Sequence, residues 1–272
     1  MNLPESQAEA EERLRHGSSF GAAAAAYARY RPGYAADAVR WALEPVAGRR
    51  PVRVVDLGAG TGKLTAALAG LGADVTAVEP DQEMLAELRR GMPAVRSVPG
   101  RAEDLPLADA SVDAVLAGQA MHWFDMDRAI PEIARVLTPG GVLAGLWNVD
   151  DDRTGWVAEL AEMSKRKSSV TLLRWRDELA AARQERLMTA GAGLFGAAET
   201  REFGHGQRHT AESLLATIGT HSHLLVMEES ERAGLLARIG GFLRTRPETS
   251  AGEFTLPMVT AVLRAEHRQR RA

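Results

Sequence analysis

Val52-Arg53-Val54-Val55-Asp56-Leu57 is a short β-branched run that ends in Gly58-Ala59-Gly60-Thr61-Gly62, and a helix-forming segment, Lys63 to Ala69, follows at once. A strand that turns on glycines straight into a helix opens a βαβ unit, and the chain keeps that pattern. Gly72 introduces a second strand, Asp74 to Glu79, followed by a helix over Asp81 to Arg90. Further strands are predicted at 94–98, 112–116 and 141–147, with a helix over Met126 to Leu137 that stops at Pro139-Gly140-Gly141. Strands alternating with helices predict an α/β fold, a doubly wound and mostly parallel sheet with both faces covered.

Residues 51–150 form this core. Residues 1–50 read as an N-terminal helical cap: a solvated helix over 3–15, an alanine-rich helix over 20–28, a turn at Pro32-Gly33 and a helix over 34–46. Residues 151–198 read as a helical insert after the fifth strand. Trp156, Val157, Leu160 and Met163, then Leu172, Trp175, Leu179 and Ala182, repeat at helical spacing, and the insert is placed as a substrate lid. Residues 199–272 complete the sheet, with strands at 199–203 and 254–263 and helices from Ala211 and over 229–244. The whole is read as one structural domain.

Charge and composition narrow the function. Lys and Arg total 33 against 36 Asp and Glu, a net charge of −3, so the chain lacks the basic field that non-specific nucleic-acid binding needs. The absence of cysteine excludes a thiolate nucleophile and cysteine-ligated metal. No apolar run approaches the ~18 residues of a membrane span. The acidic N-terminus carries no signal-peptide core, so a cytoplasmic location without a membrane partner is expected. The oligomeric state is not readable.

Three motifs compete for the glycine loop. A P-loop needs four residues between its glycines and then Lys-Ser/Thr. Here three residues separate Gly58 from Gly62, and Lys63 precedes Leu64. A dinucleotide fingerprint reads G-x-G-x-x-G, whereas the third glycine here comes one place early, which speaks against a nicotinamide-dependent reductase. What remains is a loop that lets a cofactor without phosphates lie against bare backbone. Glu79, 19 positions after Gly60, closes the second strand where an acid can accept both ribose hydroxyls. Asp56 either accepts from an ammonium group or orients the turn.

At the carboxyl ends of the fourth and fifth strands lie Gln119, His122, Trp123, Asp125, Trp147 and Asn148. His122 suits a base or a positioning wall residue. Trp123, Trp147 and Asn148 are placed at a substrate pocket, with buried packing as the other reading of each tryptophan. Arg31 either clamps a carboxylate or makes a surface ion pair. Asp125, Asp127, Asn148 and Asp150 lie near strand ends as ligands of a magnesium-assisted enzyme would, but serve equally as caps and turns. His221-x-His223 and the His205 and His209 pair are isolated from carboxylates, and no metal is expected.

The chain resembles the class I S-adenosylmethionine-dependent methyltransferases. The matching residues are Val54 to Gly62, Val78-Glu79-Pro80, Ala102-Glu103-Asp104-Leu105-Pro106 and Arg135 to Gly141. More narrowly, Tyr30-Arg31-Pro32 and Gln119 to Asp125 look like the small-molecule enzymes related to trans-aconitate methyltransferase. The resemblance implies a seven-stranded Rossmann-like sheet whose last strand is antiparallel, and S-adenosyl-L-methionine as cofactor with S-adenosyl-L-homocysteine as product. It implies that Gly58, Gly60 and Gly62 cradle the methionine part and that Glu79 binds the ribose. Asp81 and Met84 would flank the adenine, with Ala102 and Glu103 at its edge, while Tyr30, Arg31, Asp56 and Gln119 complete the cofactor set. For Met84 a plain core role is the competing reading. The expected function is in-line methyl transfer to an unidentified small-molecule acceptor. The alternative is a protein of the same fold that binds the cofactor without transferring methyl, either a pericyclase-like enzyme or a binding module.

Overall fold

A computed structural model of the protein describes residues 24–164, 193–221, 224 and 227–268. Seven strands form one sheet: β1 Arg53–Leu57, β2 Asp74–Val78, β3 Arg96–Val98, β4 Val112–Gly118, β5 Leu137–Asp150, β6 Glu199–His209 and β7 Phe254–Glu266. Their order is β3-β2-β1-β4-β5-β7-β6. The pairings from β3 across to β5 are parallel, and β7 runs antiparallel between β5 and β6. The doubly wound sheet and its antiparallel last strand are thus as the sequence implies. After β1 the chain winds outward through β2 and β3, then returns to β4 on the other side of β1. That reversal opens a crevice at the carboxyl ends of β1 and β4, where open α/β sheets bind ligands.

Eight α-helices are described: α1 Ala24–Tyr30, α2 Ala36–Leu43, α3 Lys63–Gly70, α4 Gln82–Gly91, α5 Met126–Val136, α6 Gly155–Met163, α7 Ala211–Gly219 and α8 Glu229–Thr245. Short 3-10 turns occupy Glu44–Val46 and Met121–Trp123. Side chains alternate across each strand, and two cores result. Val54, Leu116, Leu146 and Val262 meet α2 and α3 on one face. Val55, Leu57, Val115 and Leu143 meet Ile130 and Ile133 of α5 on the other. At the amino ends of β1 and β4, buried Asp113 accepts from both Arg49 and Arg53 at 2.8 Å, which holds its carboxyl well below the usual carboxylate range.

Beyond the sheet's far end lies a third core: Trp156 and Leu160 of α6, Ile218 of α7, Ile239 of α8 and Phe254, Leu256 and Met258 of β7. Trp156 meets Phe254 edge-on at 5.9 Å. The start of the expected lid is therefore packed structure. Its second half, with Leu172, Trp175, Leu179 and Ala182, falls outside the described residues, as do the helix over 3–15 and the start of that over 20–28, which is helical from Ala24.

Two strands are much longer than the sequence predicts. Pro139-Gly140-Gly141 was expected as a stop, yet β5 runs through it. The β4–β5 register jumps from Val112↔Leu137 to Ala114↔Val142, so the extra residues are accommodated as a bulge, with Gly140 at a φ of +69°. β6 likewise continues past Phe203 to His209, its full length paired with β7. Among the described residues, no helix is long and apolar enough to cross a membrane.

Candidate functional site

The glycine loop folds back over the ends of β1 and β2, with the Gly58 and Ala59 amides donating to the Val78 carbonyl at 2.9 and 3.1 Å. Gly58, Gly60 and Gly62 all adopt positive φ, at +70°, +55° and +89°, a region side chains disfavour. Their surroundings differ. A β-carbon on Gly58 would lie 2.6 Å from the Ala120 methyl, and one on Gly62 would meet the Met92 tip and the Leu88 side chain. One on Gly60 would meet no atom of the described residues within 4 Å. Two of the three glycines therefore serve close protein packing, a role the sequence reading had given to cofactor approach. Of the three, only Gly60 has open space beside its backbone among the described residues.

Glu79 anchors that backbone. Its Oε2 accepts from the Gly60 amide at 2.8 Å and its Oε1 from the Asp81 amide at 2.9 Å. Burial pushes its pKa up, and the two amide donors pull against that shift. Each oxygen retains a lone pair beyond its backbone bond, so the carboxylate can hold the loop and still accept two hydroxyls.

Asp56, fully buried at the end of β1, has its Oδ2 bonded by the Thr65 hydroxyl of α3 at 2.5 Å. Its Oδ1 has no hydrogen-bond partner among the described residues, and neither has the buried hydroxyl of Thr61. Burial, reinforced by the nearby Glu79 charge, pushes Asp56 up to about 7. The stability consequence follows from proton counting. Between about pH 4 and pH 7 the unfolded carboxyl ionises while the folded one keeps its proton, so rising pH costs stability across that window. Asp56→Asn should therefore be more stable than wild type at pH 8, by up to about 4 kcal/mol. Urea unfolding should show the gain vanishing at pH 4.

Asp81 caps α4, its Oδ1 accepting from the Glu83 and Met84 amides at 2.9 Å, and Met84 is buried beneath it. Ala102 lies in the core against α5. Glu103 accepts from the Asp125 amide at 2.8 Å, tying the turn after β3 to the start of α5.

At the end of β4, Gln119 takes a φ of +56°, unusual for a residue with a side chain. Its amide donates to the Leu146 carbonyl and its Nε2 to the Asn148 carbonyl, both at 2.8 Å. His122 is exposed on the 3-10 turn, its ring 4.6 Å from that of half-buried Trp123.

Three placements go beyond what the sequence could specify. Trp147 is buried, with its indole folded over Gly145 beside Met121, so it packs the core and not the pocket. Asn148 spends its carboxamide internally, Nδ2 donating to the Gly33 carbonyl at 2.8 Å and Oδ1 accepting from Thr260 at 2.6 Å. Arg31 donates to the hydroxyl and carbonyl of Thr220, both at 3.1 Å. The Tyr30 carbonyl accepts from Gln207 and Thr217. Thr65, Ala120, Thr217, Thr220 and Thr260 were all missed, since each acts through a tertiary contact that no local pattern announces. No group of three or more His, Asp or Glu side chains converges as a metal site among the described residues.

Comparison with known proteins agrees with this geometry. Residues 55–145 match the family model described as a methyltransferase domain. An uncharacterised methyltransferase of Mycobacterium tuberculosis is 40% identical over 248 residues, covering 91% of this chain and 95% of the relative. The chain belongs to the class I S-adenosylmethionine-dependent methyltransferases. Among solved structures, a provisionally named type II methyltransferase from Anaeromyxobacter dehalogenans has a TM-score of 0.61 at 28% identity, covering 88% of this methyltransferase and 98% of that chain. The [4+2]-cyclase SpnF aligns over 98% of this chain and 99% of its own with a TM-score of 0.53, but at 18% identity that likeness shows the fold alone.

Proposed function

We propose that this methyltransferase binds S-adenosyl-L-methionine at the Gly58–Gly62 loop and transfers its methyl group to a small-molecule acceptor. One observation carries the reading: the loop leaves open space over Gly60 while Glu79, bonded to that residue's amide, keeps a lone pair on each oxygen. The fit extends to Asp56, whose unpartnered buried Oδ1 suits an ammonium group, and to the Thr61 hydroxyl. Glu79 would take the ribose hydroxyls, with Asp81, Met84, Ala102 and Glu103 around the adenine. Gln119, Tyr30 and Arg31 would close the cofactor side. The bound cofactor supplies an electrophilic methyl group on a sulfonium, open to in-line displacement.

The chain's own task is then to align the acceptor and exclude water. His122, next to Trp123 at the mouth, is the residue we assign to taking a proton from a hydroxyl or ammonium acceptor; a carboxylate acceptor needs no base. The test is incubation with S-adenosylmethionine and panels of carboxylate, hydroxyl and amine metabolites, scored by S-adenosylhomocysteine formed. Acceptor-dependent product supports the reading. Tight cofactor binding with no product from any panel would point to the non-transferring alternative.

A further inference from the structure

The segment from Tyr30 to Ala35 is fastened along its length to the far side of the sheet. Tyr30 and Arg31 are held by β6 and α7, through Gln207, Thr217 and Thr220. The Gly33 carbonyl accepts from Asn148 of β5, and the Ala35 amide donates to the Thr260 hydroxyl of β7 at 3.2 Å. Between them the Tyr34 phenol lies against Gly118, where a β-carbon would collide with it.

Thr260 is the hub. It is fully buried, sits opposite Asn148 in one strand pairing and Phe203 in the other, and its hydroxyl meets three groups. A hydroxyl has one proton and two lone pairs. The proton goes to Asn148 Oδ1 at 2.6 Å, because Asn148 Nδ2 already donates to Gly33. One lone pair takes the Ala35 amide. His205 Nε2, 3.2 Å away on β6, must then be a donor to the other. The neutral Nε2–H tautomer and the imidazolium both satisfy that requirement, so the arrangement survives protonation of the ring. Burial holds His205 below its ordinary pKa, and no charged group contributes to the shift. The chain of bonds continues from the Asn148 carbonyl to Gln119 and the end of β4, next to the Ala120 methyl that abuts Gly58.

We propose that Thr260 is a positioning residue: its hydroxyl, oriented by His205, locks the Asn148 side chain and fixes the Gly33–Ala35 segment at the edge that holds the cofactor. Edge strand β6 and its neighbour β7 thereby set the geometry of a site to which they contribute no glycine loop or acid. The effect on ligand affinity rests on the cofactor reading above; the effect on the segment does not.

The test pairs amide hydrogen exchange of the ligand-free protein with calorimetric titration by S-adenosylhomocysteine. Thr260→Val should speed exchange at Ala35 at least 10-fold and weaken binding about 10-fold, while exchange in β1 and β2 stays unchanged. Thr260→Ser should restore both. His205→Gln, which keeps a donor, should behave as wild type, and His205→Leu should reproduce the valine defect. If Thr260→Val does not fold, Asn148→Ala cuts the Gly33 link and gives the same two readouts. Unchanged exchange at Ala35 would overturn the proposal, and so would faster exchange with undiminished affinity. A wild type that binds no S-adenosylhomocysteine would count against the cofactor reading, and the exchange data alone would then decide whether Thr260 pins the segment.

Discussion

Gly58→Ala should destabilise the protein by about 3–5 kcal/mol, where Gly60→Ala should cost only about 1–2. Both substitutions place a β-carbon on a residue of positive φ, which accounts for the shared part. The difference is steric. At Gly58 the new methyl lies 2.6 Å from that of Ala120, whose short side chain has no rotamer with which to move away. The end of β4 would have to shift, and with it the strained Gln119. At Gly60 the methyl enters open space. For a chain of this size the expected drop in melting temperature for Gly58→Ala is on the order of 10 °C. Gly62→Ala should fall between the two, since the Met92 tip it meets can swing but Leu88 also crowds it. Equal losses at Gly58 and Gly60 in thermal scans would show that backbone strain alone sets the cost.

Glu79→Ala should weaken S-adenosylhomocysteine binding by ~100-fold or more, the equivalent of about 3 kcal/mol. Hydrogen bonds to a charged acceptor are worth about 1.5–3 kcal/mol each, and the proposed ribose contact uses two. The variant also strands the Gly60 and Asp81 amides, so the loop should lose its fixed conformation even without ligand. Stability should fall less than affinity, because removing the carboxylate also removes the burial cost that raises its pKa. Calorimetric titration separates the roles. Affinity within a few-fold of wild type would reduce Glu79 to a loop anchor.

The glycine-loop half of the candidate site was legible in the sequence because it is local. Gly60 and Glu79 are 19 residues apart and are brought together by one βαβ unit, whose strand–glycine–helix pattern fixes both positions. Spacing could not tell one glycine from another. All three need positive φ, and only the packing of Ala120, Leu88 and Met92 shows that Gly58 and Gly62 are filled from the protein side.

The opposite half was illegible because its contacts are remote: 112 residues separate Asn148 from Thr260, and 189 separate Arg31 from Thr220. What Asn148 and Arg31 bond could not be known without the antiparallel register of β7 and the approach of α7. Trp147 stayed open between pocket and core for a related reason. At the end of an inward-facing strand, an indole that lines a cleft and one that folds back over a glycine have the same sequence signature. The bulge in β5 escaped because Pro-Gly-Gly ordinarily ends an element, and here the Arg49 side chain bonds the Pro139 carbonyl and holds the irregular backbone within the strand.

The central claim is that the open space over Gly60 is where the cofactor lies, and titration of wild type and Gly60→Asn with S-adenosylhomocysteine tests it most directly. Asparagine tolerates positive φ better than other side chains, and no described residue comes within 4 Å of a β-carbon there, so the variant should fold with a melting temperature near that of wild type. The account predicts micromolar or tighter binding by wild type and at least a 10-fold loss in Gly60→Asn. Equal affinity in the two proteins, or no binding by wild type, would contradict it.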